Sequence, residues 1–242
     1  MATTITTTTT MTMTTEAVPP SPGRLAFLRL LQLASPALPV GAFAYSQGLE
    51  PAVKAGVVHD ETSAATWLLG LLGGPLAHLD LPIFARLHRA HAAGDAFAVA
   101  QWNAFLLASR PTSELQAEDR HLGAAFARVL GTLGVPADSR VVAPATLAGQ
   151  FARATVHYRV DLHTALETFA FMWAEAQTSA AVRLVPLGQS AGVRVLARAG
   201  AAIPAAVEQA LLLGNDDLGG AAPGLALLSA AHETQYSRLF RS

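Results

Sequence analysis

Between Asp161 and Pro186 the apolar positions Leu162, Leu166, Phe169, Trp173, Ala176 and Ala180 follow one another at intervals of four, three, four, three and four residues. Only an α-helix, at 3.6 residues per turn, gathers such positions into one stripe. Asp161 immediately before them is an N-cap residue type. A long helix with so apolar a seam has to be covered by other helices, and the same period recurs on both sides of it. Leu115, Leu122, Phe126, Val129 and Leu133 mark a second stripe, and Leu79, Ile83 and Leu87 a third. No stretch alternates β-branched or aromatic residues in the manner of a strand.

The expected elements follow from caps and breakers. Helices are expected over Arg24–Ala34, with Leu25, Leu28 and Leu31 on one side, and over Ser46–Ala55. Asp60 caps Glu61–Leu72, which Gly73-Gly74-Pro75 ends, and Leu76–Ala93 follows with Pro82 starting or kinking its second half. Asp95 caps a helix to Ser109. Pro111-Thr112-Ser113 opens another to Leu133, with Ser113 and Gln116 at capping-box spacing. Pro144–Tyr158 places Leu147, Phe151 and Ala154 inward. After the long seam come Gly188–Arg198, Ile203–Leu213 and Leu225–Tyr236. The expected fold is all-α, a single-domain bundle of eight to ten helices over residues 24–242. Residues 1–23, MATTITTTTTMTMTTEAVPPSPG, have no period that buries a face and are expected to be disordered.

Composition narrows the function. Of 242 residues only 14% are charged and 52% are apolar, against about 25% charged in an average soluble protein. A chain this apolar has a large Ala-rich core or covers part of its surface with partners. The net charge of −1 supplies no field to attract nucleic acid or acidic membranes. No basic recognition helix is present, which argues against a transcription regulator. The basic residues are arginines except Lys54, and arginine favours defined, bidentate contacts. No Cys is present, which removes disulfides, thiolate ligands and Cys nucleophiles. There is no basic-then-apolar leader and no uninterrupted apolar run of about 18 residues, so a cytoplasmic location without a membrane anchor is expected.

Sites of chemistry are scarce. Lys54 lacks the glycines of a phosphate-binding loop. Ser46, in Ala44-Tyr45-Ser46-Gln47-Gly48, lacks the first Gly and the strand of a nucleophile elbow, and reads as a cap or interface serine. His88 and His91 lie three apart, but Arg86 and Arg89 beside them and the lack of a nearby carboxylate favour ordinary surface residues over a metal pair. An all-α enzyme or metal carrier built on those histidines is the competing hypothesis. Arg110, Glu114, Glu118, Asp119 and Arg120 read as a solvated helix face, with a polar patch that meets a partner as the functional alternative. At Ala181–Leu196, Pro186 and Gly188 turn the chain, and Gln189 and Ser190 open a new helix. The end, HETQYSRLFRS, carries the Tyr, Arg, Leu and Phe that anchor interfaces, and residues 233–242 read as a docking tail that orders on binding.

Four stretches in this order carry a resemblance: LLQLASPALPVGAFAYSQGLE, SRPTSELQAEDRHLG, AVRLVPLGQSAGVRVL and HETQYSRLFRS. Together they resemble the urease accessory protein UreF family, from about Leu25 to Ser242. Ala42 and Ala44 stand where that family commonly has Gly and Ser. The resemblance implies an all-helical, homodimeric protein without catalysis of its own. It would bind the accessory protein UreD (also called UreH) and the GTPase UreG, and couple GTP hydrolysis to nickel insertion into apo-urease, with no cofactor firmly bound. Pro39, Gly41, Ser46, Gly48 and Glu50 match one family signature. Pro186, Gly188, Gln189, Ser190 and Gly192 match a second. Tyr236, Arg238, Leu239, Phe240 and Arg241 match the segment that orders against UreD. With Arg110 and Glu114, these make up the expected partner interface.

Overall fold

The long apolar seam is one continuous helix. In the computed structural model, which describes residues 22–142, 144–220 and 222–242, it runs from Leu162 to Leu184 and is the eighth of ten α-helices among those residues. The others are α1 Pro22–Ala34, α2 Leu49–Lys54, α3 Glu61–Leu71, α4 Leu81–Ala93, α5 Ala96–Ala108, α6 Ser113–Thr132, α7 Leu147–His157, α9 Gln189–Leu212 and α10 Pro223–Glu233. The described residues contain no strand. The Thr-rich stretch expected to be disordered lies outside them, save Pro22 and Gly23, which open α1.

The main core is a contiguous cluster from α4, α6, α7, α8 and α9. At its centre Phe84 stacks on Phe169 with ring centroids 5.0 Å apart, and Phe151 and Phe126 close the aromatic group. Asp60, Asp95 and Asp161 cap α3, α5 and α8 as expected, each accepting from a backbone N–H three residues on.

Several expectations are revised, each for a local reason. The helix expected from Ser46 begins at Leu49, because Gln47 (φ 51°) and Gly48 (φ 79°) take left-handed backbone first. Gly73-Gly74-Pro75 bends a helical run instead of ending it. Leu72–Asp80 winds as a π-helix between α3 and α4, and only Gly74 leaves helical dihedrals (φ −96°, ψ −108°), in the residue that Pro75 disfavours. Pro204 lies inside α9, which the sequence divides in two. It sits on the exposed side while Val195, Ala199, Ile203 and Val207 bury one unbroken face. Thr112 rather than Ser113 caps α6. Last, α1 turns Leu25, Leu28 and Leu31 outward and buries Leu30 and Leu33. Leucines lie all round this helix, so its period does not single out a face.

Two helical runs, Glu61–Ala93 and Gln189–Leu212, are long and apolar enough to cross a membrane by length and composition alone. Both are packed elements of the bundle, and the first contributes Leu81, Ile83, Phe84 and Leu87 to the main core.

Candidate interface site

The first signature lies between α1 and α2, and its left-handed residues aim it. Gly41 (φ 82°) starts a single 3-10 turn, Ala42–Ala44. Gln47 and Gly48 then swing the chain so that Ser46 and Glu50 face the protein's own C-terminal segment. Ser46 donates from its hydroxyl (2.6 Å) and its N–H (2.9 Å) to the Ser242 main-chain oxygen. Its Oγ also accepts from Glu50 N–H at 3.2 Å, although Gly48 rather than Ser46 is the N-cap of α2. The Glu50 carboxylate accepts two successive main-chain N–H groups, Leu239 on Oε1 and Phe240 on Oε2, both at 2.8 Å, and the Gln235 amide at 3.0 Å. Arg241 N–H completes the pairing by donating to the Ala44 carbonyl at 2.8 Å. Charge-assisted bonds to main chain are the stronger kind, and four consecutive tail residues are held by them or by main-chain oxygens.

Residues from the start of α6 complete this latch. Glu114 accepts from Arg238, and its Oε2 lies 2.6 Å from Nδ1 of the fully buried His232. Glu233 reaches back to accept from the Ser113 hydroxyl and N–H, so the end of α10 helps cap α6. Glu118 accepts from the Ser242 hydroxyl at 2.6 Å and from the Gln47 amide at 2.7 Å. Burial pushes the Glu118 carboxyl up to about 7, against the pull of those two donors. Arg110 bridges Asp80 (2.5 Å) and Asp119 (2.6 Å). Burial raises Asp119 in turn, and the facing Arg110 opposes that rise.

The charged face expected to be solvated over Arg110–Arg120 is therefore a largely enclosed ion network, and of its five charged residues only Arg120 is exposed. The charges that enclose it come from Asp80 and the tail, far away in sequence. Arg110 and Glu114, expected at a partner interface, are engaged within the chain.

The tail is also already placed. Phe240 is 3% exposed in a cluster with Leu49, Ala52, Val58, Ala64, Ala180, Ala181 and Val185, and the Arg183 guanidinium lies 4.6 Å over its ring. Leu184 and Leu187 pack on the same cluster, which brings in the second signature. Within that signature Pro186, Gly188, Gln189 and Ser190 are exposed at the start of α9. Gly192 is buried, and a Cβ there would lie 2.7 Å from Val182 Cγ2. Both signatures and the tail thus meet at one apolar cluster. Pro39 lies exposed in the turn before Gly41. Around the junction Tyr236, Leu239, Phe43 and Val193 stand in solvent, with Tyr236 completely exposed; Arg238 and Arg241 are exposed in part or whole.

Residues that sequence reasoning missed are Gln47, Asp80, Trp173, Gln177, His232 and Ser242. Gln47 lay inside the first signature, His232 and Ser242 lay at the two ends of the C-terminal stretch, and Trp173 lay in the α8 seam, whereas Asp80 and Gln177 carried no signal. His88 and His91 are not surface residues. Burial lowers both, His91 to about 4, and His91 Nε2 lies 3.2 Å from the Gly149 carbonyl. No group of three or more His, Asp or Glu able to hold a metal occurs among the described residues.

The sequence profile of the UreF family matches residues 58–200, more than half of the chain. The chain belongs to the UreF family. Among similar UreF proteins, "Urease accessory protein UreF" of Alkalilimnicola ehrlichii is 47% identical over 227 residues, covering 92% of this chain and 98% of that one. The proteins of the same name from Chromohalobacter salexigens and Pseudomonas putida are 48% and 49% identical, each over 90% of this chain and 95% and 98% of their own lengths. The UreF family is one of accessory proteins, not of enzymes.

Proposed function

We propose that this chain serves urease maturation as a scaffold. In this reading it binds UreD (UreH) and UreG as a cytoplasmic homodimer and couples GTP hydrolysis by UreG to insertion of nickel, the cargo, into apo-urease. It holds no cofactor of its own. Residues 24–242 act as the UreF-like domain and 233–242 as its docking segment.

The observation that carries this reading is the junction itself. Two family signatures and the tail converge on one cluster, and the same junction leaves Tyr236, Leu239 and Phe43 unburied. Exposed aromatic and aliphatic anchors ringed by arginines are the composition of a protein interface core. The apolar outer face of α1, with Leu25, Leu28 and Leu31 about half exposed, offers a second surface for the homodimer.

Co-expression with UreD and UreG tests it. Tyr236→Ala with Leu239→Asp alters only exposed side chains. The variant is expected to keep its helical circular dichroism while losing UreD in co-purification and urease activation in cells. A complex that survives this double change, or activation at the original level, overturns the assignment of the tail.

A further inference from the structure

A cavity of about 370 Å³ lies beneath the first signature, between the π-helical run, α6 and α8. Its walls are largely apolar, formed by Leu79, Leu122, Phe126, Phe169, Met172 and Trp173. It falls within the ~300–1,000 Å³ range of small-molecule sites.

The polar groups on its wall are one-sided, and the hydrogen-bond network fixes them so. Trp173 Nε1 only donates, and it donates to Gln47 Oε1 at 2.8 Å. That sets the Gln47 amide with its nitrogen toward Glu118, 2.7 Å away. Gln177 Nε2 donates to the same Gln47 oxygen at 3.3 Å, which leaves Gln177 Oε1 over. Gln177 is 2% exposed, lines the cavity, and its Oε1 has no protein partner among the described residues. Asp80 and Asp119, also on the wall, each use one carboxylate oxygen on Arg110 and leave the other for a guest. Arg110 itself donates Nε to Asp119 and Nη2 to Asp80. Three carboxylates, from Asp80, Glu118 and Asp119, surround one guanidinium.

We infer that this cavity binds a small organic cation: an ammonium head hydrogen-bonded to Gln177 Oε1 and the free carboxylate oxygens, with an apolar body against Phe126, Phe169 and Met172. An anion would face the carboxylates of Asp80, Glu118 and Asp119 and the unpartnered Gln177 Oε1. A neutral hydrocarbon would leave Gln177 Oε1 buried without a partner, which costs about 1–3 kcal/mol.

Isothermal titration calorimetry of the full chain at pH 8 with 2-phenylethylammonium tests this, with 3-phenylpropionate as the anionic probe of similar size. The cation is expected to bind one-to-one with a Kd of about 1 mM or tighter, and the anion not at all. Gln177→Leu should weaken the cation roughly tenfold. Ala176→Phe, which fills the cavity from α8, should abolish binding while circular dichroism stays helical. No saturable heat, equal binding of the anion, or unchanged affinity in the folded Ala176→Phe variant each overturns the inference.

Discussion

Glu118 makes the latch depend on pH, and the sign is opposite to that of a stabilising surface carboxylate. Its carboxyl titrates at about 7 in the folded chain against 4.5 for the free side chain. Between those values the folded state holds a proton that the unfolded state has lost. Stability therefore falls as pH rises from about 4.5 to about 7, and the loss stays constant above that. At about 1.4 kcal/mol for each tenfold change in proton affinity, the penalty at pH 8 is on the order of 3 kcal/mol. The charges facing this group are Asp119 and Arg110, and its hydrogen-bond donors come from Ser242 and Gln47.

Glu118→Gln isolates the effect, because a glutamine reproduces the protonated acid. Its oxygen still accepts from Gln47, and its N–H group donates to the Ser242 hydroxyl. Urea unfolding at pH 5, 6, 7 and 8 measures both proteins under the same conditions, so other titrating groups cancel in the difference. The variant should gain about 3 kcal/mol on the wild type between pH 5 and pH 8, with most of the change between 5 and 7. Parallel stability curves would show that Glu118 titrates alike in both states, and the account of its burial would fail.

Three further outcomes follow from the same geometry. Phe240→Ala removes the buried aromatic ring of the tail and should cost the latch about 3 kcal/mol. Amide hydrogen exchange at Leu239 and Phe240, whose N–H groups Glu50 holds, should then lose its protection. Gly48→Ala puts a Cβ at φ 79° and 2.7 Å from Leu225 Cδ1. The backbone cost of about 1–2 kcal/mol should appear as a melting temperature lower by about 3–6 °C. His91, pushed down to about 4 by burial, should remain neutral at pH 5. Its ring carbon–proton resonances in an NMR titration should move with a midpoint near 4.

What the sequence disclosed tracks the range over which each force acts. Caps and seams are local. Asp60, Asp95 and Asp161 each sit within four residues of the amide they satisfy, and the α8 stripe needs only its own period to be recognised. Of the signature and tail residues, Ser46, Gly48, Glu50, Gly192 and Phe240 are buried within the chain. The partners were not legible. Glu50 meets Phe240 across 190 positions, and Glu118 meets Ser242 across 124. No periodicity spans such distances, so a charged stretch destined for burial looks the same as one bound for water. The left-handed Gln47 was equally hidden, because its conformation is held by Trp173, Gln177 and Glu118 from outside the turn.

A chain with so few charges nevertheless spends Asp80, Arg110, Glu50, Glu114, Glu118, Asp119 and Arg238 on one junction. Stability alone does not explain it, since buried ion networks are often replaceable by apolar packing at no loss, and Glu118 is a net cost at neutral pH. What these groups supply is register. A purely apolar pocket would accept Phe240 in several poses, and a tail of mixed Leu, Phe and Arg slides easily along grease. Glu50 accepts only where two successive N–H groups arrive together, and Ser46 and Glu118 both fix the position of Ser242. The tail is thereby held at one phase, with Phe240 inward and Tyr236 and Leu239 outward. A one-residue slip would bury Leu239 or Arg241 instead and present a different face. The ionic cost of the junction thus secures the one arrangement in which the exposed anchors stand beside both signatures.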